Sequence, residues 1–194
     1  MTIDVGTGDG RAVLAAAAAE PTTLVLGLDA DAASMVEASR RAARPFRRGG
    51  LPNARFIVAT AEHPPEPLRA AGHLVTVRFP WGSLLRGCLG LDVSVAAGVG
   101  ELVTIGGTLE LTLAPALHDG LDRLPVEPDE VDAAAAGAFG PIGLQLVEAR
   151  PATEVEIGTT WGRRLLRGGG RGRPGGERQP VGERQPRTLR FRAS

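Results

Sequence analysis

Three glycines alternate with other residues in the segment DVGTGDGR, at Gly6, Gly8 and Gly10. Glycine lets a backbone adopt positive φ and approach a ligand closely, and the amino end of a helix that follows such a loop favours negative charge. The spacing G-x-G-x-G differs from the dinucleotide pattern G-x-G-x-x-G, so a nicotinamide cofactor is disfavoured, and without G-K-[ST] the loop is not a P-loop. Many strand-to-helix turns are rich in glycine, so the loop alone is a weak indication of a ligand site.

Polar residues end the next two apolar segments of the chain. Asp29 ends TTLVLGLD, and Thr60–Glu62 end ARFIVATAE. In an open parallel sheet these ends lie beside the glycine loop, in the crevice where ligands bind. There the Asp29 carboxylate can accept hydrogen bonds from both ribose hydroxyls of an adenosine, and the third segment can meet the adenine edge. Together the three signals resemble class I S-adenosylmethionine-dependent methyltransferases; the alternative is a Rossmann-like domain without methyl chemistry.

Asp9, inside the glycine loop, has two interpretations. Its carboxylate lies near the amino acid end of the cofactor, or it caps the helix that begins at Arg11, as aspartate often does. The sequence leaves both open.

Both tryptophans stand outside the apolar runs. Trp81 follows HLVTVRFP, a strand candidate whose carboxyl end faces the same crevice, and Trp161 opens the basic tail in GTTWGRRL. A lone tryptophan is more often a core residue, but two that flank a crevice can stack on an extruded base, at about 1–3 kcal/mol per base. Arg163, Arg164 and Arg167 would then contact phosphate. This pattern predicts two catalytic tryptophans beside an RNA-binding segment.

Strand and helix candidates alternate along the chain, which predicts a mostly parallel sheet with helices on both faces. The strand candidates are nearly continuous apolar runs, as expected where helices cover both faces. The predicted strands are Thr2–Val5, Thr22–Asp29, Ala54–Glu62, His73–Pro80, Gly107–Leu113 and Ile142–Arg150. The predicted helices are Arg11–Glu20, Asp31–Arg44, a segment 83–99 broken near Gly90, and Pro128–Ala138. The fold class is therefore α/β and Rossmann-like.

The composition of the chain changes towards its end. Residues 1–160 carry 12 arginines and 20 carboxylates, whereas residues 161–194 carry 10 arginines and 2 carboxylates. A basic tail on an acidic domain indicates an anionic partner, most commonly nucleic acid, or else a solvated tail. We predict a methyltransferase domain over 1–167, a disordered Gly/Pro/Arg-rich insertion over 168–186 and a final, antiparallel strand over 187–194.

Length and composition limit the class of protein. A chain of 194 residues is long enough for one domain with its own core. Cys88, the one cysteine, excludes an internal disulfide framework, and His63, His73 and His118 lack metal-ligand spacing. No apolar run has the length of a membrane span, and the amino terminus has no signal pattern. We expect a cytoplasmic monomer with neither a metal nor a membrane partner.

Five segments carry a more specific resemblance, namely DVGTGDGR, LGLDA, GGLPNARFIVATAE, FPWGSLLRG and TTWGRRL. In this order they resemble the aminoglycoside-resistance 16S ribosomal RNA adenine-N1 methyltransferases of the KamB/NpmA type. The motifs F-P-W-G and [ST]-x-W-x-[KR]-R are far more specific than the glycine loop. The resemblance implies methyl transfer from S-adenosylmethionine to the decoding-site adenine of 16S rRNA in the 30S subunit, with resistance to aminoglycosides as the result.

The resemblance also implies roles for single residues. Trp81 and Trp161 match the pair that sandwiches the target adenine, and Arg164 matches a basic residue that contacts RNA. Thr159 stands where the family has a small hydroxyl residue near the cofactor. The residues implied to bind S-adenosylmethionine are Gly6, Thr7, Gly8, Asp9, Asp29, Ala61, Glu62, Arg78, Phe79, Pro80, Trp81, Gly82, Ser83, Thr159, Thr160 and Trp161.

The sequence departs from this family in three places. The resemblance begins almost at the first strand, whereas the family has an N-terminal hairpin that helps it dock on the ribosome, so we expect this extension to be missing. The region before the Pro128 helix is short, and residues 168–186 separate Trp161 from the last strand. These departures leave two alternatives open: a methyltransferase for another RNA or a small molecule, and a truncated, inactive homologue that binds RNA or cofactor.

Overall fold

The computed structural model of the protein describes residues 1–116, 124–157 and 185–194. Within these ranges seven strands form one sheet. They are β1 (Thr2–Val5), β2 (Val25–Asp29), β3 (Ala54–Val58), β4 (Gly72–Arg78), β5 (Val103–Leu113), β6 (Leu144–Pro151) and β7 (Arg187–Ala193). Their order is β3-β2-β1-β4-β5-β7-β6. Strands β1 to β5 pair in parallel, and β7 runs antiparallel to both β5 and β6.

Six α-helices lie among the described residues, and three of them begin at a residue that favours a helix start. They are α1 (Arg11–Ala19), α2 (Ala32–Ala42), α3 (Gly82–Cys88), α4 (Val93–Glu101), α5 (Pro128–Phe139) and α6 (Glu154–Ile157). The Asp31 carboxylate caps α2 by accepting from the N–H of Ala33, and the Asp92 carboxylate caps α4. Proline at the first position of α5 needs no partner for its nitrogen.

The position of β1 creates the crevice that a ligand needs. The chain runs outwards from β1 through β2 to β3, and then returns to place β4 on the other side of β1. Loops that leave neighbouring carboxyl ends in opposite directions open a crevice at this switch point. The glycine loop follows β1, so the fold places it there.

The core lies between the sheet and its helices. Central strand residues such as Ile3, Val75 and Leu109 are fully buried, because helices cover both faces of the parallel half of the sheet. On β5 and β7 the core continues through Leu111 and Phe191. The ring of Phe191 packs against Phe139 of α5 with centroids 5.3 Å apart. This contact fixes the antiparallel end of the sheet to the helical layer.

The structure confirms the predicted fold class and the antiparallel last strand. It also corrects several predicted boundaries. Strand β3 ends at Val58, so Thr60–Glu62 stand in the following loop rather than in the strand. The last backbone hydrogen bond between this segment and β2 runs from the N–H of Ala59 to Asp29 O. Beyond Asp29 there is no β2 residue for the segment to pair with, so the strand ends. Strands β2 and β6 begin later than predicted, and β5 begins earlier, at Val103.

Ion pairs cover one face of the antiparallel strands. Arg190 on β7 bridges Glu110 on β5 and Glu148 on β6, with N–O distances of 3.0 and 2.9 Å. Arg150 on β6 contacts Glu148 and forms a two-bond pair with Glu156 of α6, at 2.9 and 2.8 Å. Helix α6, which the sequence did not predict, is thereby tied to the sheet.

The predicted insertion 168–186 lies outside the described residues except for its last two positions.

Among the residues that the structure describes, no single helix has the length and apolarity to cross a membrane. Helices α3 and α4 reach that length and apolarity only when taken together, and they are bent by 81°. Within the same ranges, no group of three or more His, Cys, Asp or Glu side chains is arranged to hold a metal ion.

The Arg150–Glu156 pair should make the folded state less stable as the pH falls into the acid range. The hydrogen bonds from Arg150 hold the pKa of Glu156 at about 2, below its ordinary value of 4.5. A carboxyl group whose pKa falls on folding stabilises the folded state above its unfolded pKa, and that contribution disappears as the pH falls through the folded pKa. We expect the free energy of unfolding to fall more between pH 4.5 and pH 2 in the wild type than in Glu156→Gln, measured by urea denaturation. Glu154→Gln, at an exposed position of the same helix, should follow the wild type; identical curves for all three proteins would contradict the prediction.

Candidate cofactor and base-binding site

The glycine loop is held at the end of β1 by β2. The N–H groups of Gly6 and Thr7 both donate to Leu28 O, at 2.8 and 3.1 Å. Gly6, Gly8 and Gly10 have φ of 71°, 56° and 68°, in the left-handed region that favours glycine. A Cβ on Gly10 would come within 2.6 Å of Ala38 on α2, whereas a Cβ on Gly8 would meet no atom within 4 Å. The loop is therefore packed on one side and open at Gly8.

The loop offers polar groups that the protein itself does not satisfy. The hydroxyl oxygen of Thr7 is buried and has no hydrogen-bond partner among the described residues. A buried, unpaired hydroxyl is costly, so such a group usually finds a partner. Together with the open space at Gly8, it fits a polar ligand that lies against this loop.

The Asp29 carboxylate joins the ends of β1 and β2. One of its oxygens accepts from the N–H of Gly8 at 2.7 Å, and the other accepts from the N–H of Asp31 at 2.9 Å. Each carboxylate oxygen can accept a second hydrogen bond, so both remain able to receive hydroxyl donors. The structure thus brings two of the predicted cofactor-binding residues, Gly8 and Asp29, into direct contact.

Asp9 contacts Arg11, the first residue of α1. One oxygen accepts from the N–H of Arg11 at 3.2 Å, and the other lies 3.4 Å from the Arg11 guanidinium. The side chain of Asp9 is half exposed. These contacts lie at the start of α1, whose N-cap residue is Gly10, and the role of Asp9 near the cofactor stays a prediction.

Asp4, the first residue of the segment DVGTGDGR, is a charged residue of the site to which the sequence pattern assigns no role of its own. It lies on β1 opposite Thr76 of β4, and its carboxylate accepts from the Thr76 hydroxyl and the Arg78 guanidinium, both at 2.6 Å. Asp4 is almost fully buried, while the side chain of Arg78 is 30% exposed. A buried carboxylate needs such partners, because an unpaired charge away from water costs several kcal/mol. The pair places both signs of charge between β1 and β4, where their carboxyl ends meet.

Ala61 and Glu62 lie close to the end of β2. They stand in the loop after β3, and both are partly exposed. The N–H of Ala59 donates to Asp29 O at 3.1 Å, which ties the start of this loop to the end of β2. On its other side the loop lies against Gly98 of α4, where a Cβ would be 1.9 Å from the carbonyl oxygen of Ala61.

The segment after β4 aims a large aromatic ring outwards. Phe79 is buried and has φ of 48°, although positive φ is an outlier for a bulky residue. Its N–H donates to Thr112 O of β5 at 2.7 Å, which holds the bend. Pro80 is also buried, but Trp81 is 75% exposed. This exposure excludes Trp81 from the core and leaves the ring available to a partner.

The remaining predicted residues of this segment complete the loop. Gly82 has φ of 58° and begins α3, with no atom within 4 Å of the place where a Cβ would stand. Ser83 is exposed beside it. The other predicted site residues, namely Thr159, Thr160, Trp161, Arg163, Arg164 and Arg167, lie outside the described residues.

The mostly parallel sheet with its antiparallel last strand, the glycine loop and the acid at the end of β2 fit a class I methyltransferase, and solved structures of that class share the fold. The sequence model of the NpmA family, 16S rRNA (adenine(1408)-N(1))-methyltransferase, matches residues 1–174. An enzyme of that name from Streptoalloteichus tenebrarius is 35% identical over 173 residues, which cover 85% of this chain and 80% of that enzyme. The chain belongs to this family.

Two solved structures agree with the assignment. The aminoglycoside resistance methyltransferase NpmB1 has a TM-score of 0.77 and 38% identity, over 100% of this chain and 86% of its own. A tryptophan-to-alanine mutant of the 16S rRNA (adenine(1408)-N(1))-methyltransferase from Catenulisporales acidiphilia, solved with cosubstrate SAM, has a TM-score of 0.80 and 27% identity, over 99% of this chain and 84% of its own. The family confirms the predicted S-adenosylmethionine-dependent class of enzyme.

Asp29→Asn is expected to weaken cofactor binding. Asparagine replaces one carboxylate oxygen by an NH₂ group, so the N–H of either Gly8 or Asp31 would face a donor. Hydrogen bonds to charged groups contribute about 1.5–3 kcal/mol, so we expect the Kd of S-adenosylhomocysteine to rise about 10-fold or more in calorimetric titration.

Asp31→Asn is the matched control, because asparagine caps a helix as well as aspartate does. Its Kd should equal that of the wild type. A folded Asp29→Asn protein with wild-type affinity would refute the role assigned to this carboxylate.

Proposed function

We propose that the chain transfers a methyl group from S-adenosylmethionine to N1 of adenine 1408 of 16S rRNA in the 30S subunit, and so confers aminoglycoside resistance. Its family supports this activity, and the enzymes it matches carry that name. The observation that carries the proposal is the exposed indole of Trp81, which directly follows β4 at the crevice where the glycine loop and Asp29 meet. Such a ring offers a stacking face to a base next to a bound methyl donor.

The chain's own residues would hold S-adenosylmethionine along the carboxyl edge of the sheet. Asp29 would accept from the ribose hydroxyls, and the loop at Ala61 and Glu62 would meet the adenine. The fixed pair of Asp4 and Arg78 offers a carboxylate and a guanidinium to the zwitterionic amino acid end. When bound, S-adenosylmethionine supplies a methyl group activated by its sulfonium charge.

The target adenine needs position more than proton transfer. N1 of adenine has a free lone pair, so no general base has to act before attack. Trp81, and Trp161 in the part of the chain outside the described residues, would hold the extruded base between two indole faces. Holding two reactants in line contributes much of the rate enhancement in such a reaction. Indole faces also favour the positive charge that grows on the methylated ring.

A basic surface supports binding to RNA. Arg40, Arg41, Arg44, Arg47 and Arg48 lie at the end of α2 and in the turn after it, and all are exposed. Only Arg44 has a carboxylate within 4.0 Å among the described residues, and the distance from its guanidinium to Glu37 is long, at 3.8 Å. Unpaired, exposed arginines are suited to phosphate, whose neutralisation supplies most sequence-independent affinity.

Location and domain organisation belong to the same proposal. The substrate places the enzyme in the cytoplasm, where it would act as a monomer on the assembled subunit. Residues 1–167 would form the methyltransferase domain, joined through the insertion 168–186 to the strand that closes the sheet.

Trp81→Ala is expected to separate base binding from cofactor binding. Since the ring is 75% exposed, its loss costs little packing, and the Kd of S-adenosylhomocysteine should stay within about twofold. Loss of one stacking face, at about 1–3 kcal/mol, should lower methylation of purified 30S subunits roughly 10-fold to 100-fold. Trp81→Phe, which keeps an aromatic face, should retain more activity than Trp81→Ala. Unchanged turnover of Trp81→Ala would refute the stacking role, and equal rates on 30S subunits and tRNA would refute the proposed substrate.

Reversing charge on the basic surface should weaken binding to the subunit. In the double variant Arg47→Glu, Arg48→Glu, we expect a lower affinity for 30S subunits and a shallower salt dependence, because the log–log slope falls by about 1 for each phosphate that the protein no longer neutralises. Filter binding at several salt concentrations measures both. Arg192→Glu, at an exposed position of β7, is the control for charge reversal elsewhere on the surface, although it changes the net charge by half as much. Equal affinity and slope in all three proteins would exclude this surface from the RNA interface.

A further inference from the structure

Helix α4 lies directly on the loop that follows β3. An ideal Cβ on Gly98 would stand 1.9 Å from the carbonyl oxygen of Ala61, 3.0 Å from its carbonyl carbon and 3.2 Å from that of Glu62. Real Cβ atoms essentially never approach another atom within 3.0 Å. The neighbour is backbone, which has no flexible end to move aside. Only glycine therefore permits this approach of helix to loop.

The loop has few other means of holding its shape. Backbone hydrogen bonds fix its start, from Ala59 to Asp29 O, and its next turn, from His63 to Thr60 O. Neither Ala61 nor Glu62 makes a backbone hydrogen bond to any residue that the structure describes. The position of the peptide between them is thus set by packing against α4.

Helix α4 is itself firmly placed. Asp92 caps its first turn by accepting from the N–H groups of Ser94 and Val95, at 3.2 and 3.4 Å. Val95 and Val99 are fully buried, and both lie on the face that carries Gly98. A firmly placed helix can therefore set the position of the Ala61–Glu62 peptide, which makes no backbone hydrogen bond to the described residues.

Helix α3 links this packing to the other side of the crevice. A Cβ on Gly87 would be 2.2 Å from Val95 Cγ1, so α3 and α4 also meet without an intervening side chain. At its start, α3 places Leu84 where a Cβ on Gly6 would be only 2.6 Å away. The two helices thus touch the glycine loop at one end and the Ala61 loop at the other.

We infer that Gly98 is a positioning residue for the adenine end of the cofactor, which it serves by fixing the Ala61–Glu62 peptide. The inference rests on the cofactor site of the proposed function. A methyl group at position 98 must push the loop or the helix away, and displacements of this kind at a binding site cost far more affinity than their size suggests. Affinity for the adenosine part should fall, while the arrangement at Trp81 should change little.

The experiment compares Gly98→Ala with Gly137→Ala by calorimetric titration of S-adenosylhomocysteine and of adenosine. Gly137 lies in α5 with no atom within 4 Å of its Cβ position, so alanine there adds bulk to a helix without a clash. We expect Gly98→Ala to raise both Kd values about 10-fold or more, and Gly137→Ala to leave both within about twofold. In methylation assays, the KM for S-adenosylmethionine should rise in Gly98→Ala, with kcat at saturation within about twofold of the wild type.

Gly87→Ala distinguishes positioning from a general loss of packing. It places a comparable clash between α3 and α4, against the side chain of Val95 rather than against the cofactor loop. We expect it to lower the Tm with a smaller change in the Kd of adenosine than Gly98→Ala produces. Equal rises in Kd for both variants, or a wild-type Kd in Gly98→Ala, would overturn the inference.

Asp92→Ala decides the question if Gly98→Ala does not fold, because it loosens the first turn of α4 without adding bulk. A few-fold rise in the Kd of adenosine supports the inference, and an unchanged Kd overturns it. A wild-type protein that binds S-adenosylhomocysteine but leaves 30S subunits unmethylated would refute the proposed function alone, since the role of Gly98 is tested without RNA.

Discussion

Parallel pairing of β1 with strands on both sides is the constraint on which the site depends. Val5 pairs with Leu28 of β2 and with Val77 of β4, so three strands end at one level of the sheet. The loops that leave these ends share one crevice and must be held close together without blocking it. Each is held by a neighbour rather than by itself, as the bond from Gly8 to Asp29 shows. A ligand that spans the loops therefore contacts groups whose positions were set during folding.

Charge and strain are concentrated at the same edge. The Asp4 side chain is almost fully buried, and one of its oxygens accepts hydrogen bonds from both Thr76 and Arg78. The unfavourable φ of Phe79 is maintained by burial of its ring and by its bond to Thr112 O. Backbone strain of this kind costs about 1–3 kcal/mol and persists only where surrounding structure enforces it. Its effect is to turn the chain so that Trp81 projects into solvent.

The sequence predicts the layered α/β fold well because covered parallel strands must be continuous apolar runs. The sequence predicts the end of a strand poorly where an apolar run extends beyond the last residue that pairs in the sheet. Ala59 and Ala61 extend the apolar run of β3, but β2 ends at Asp29, and an edge strand without a partner cannot continue. The sequence does not show the pairing of Asp4 with Arg78, because the two residues are 74 positions apart and only the β1–β4 pairing joins them.

The same limit applies to the helices beside the site. A glycine in the middle of α4 looks from sequence like a weak point, since it costs about 1 kcal/mol relative to alanine in a helix. The structure explains why this position is a glycine: the carbonyl oxygen of Ala61 occupies the space that a side chain at position 98 would need. A methyl transfer that needs no general base depends on the placement of two reactants. In the proposed function, the chain would achieve that placement through backbone approach at Gly98 and Gly10, the carboxylate of Asp29, and the exposed ring of Trp81. Residues that never touch a reactant would then limit how well the site works.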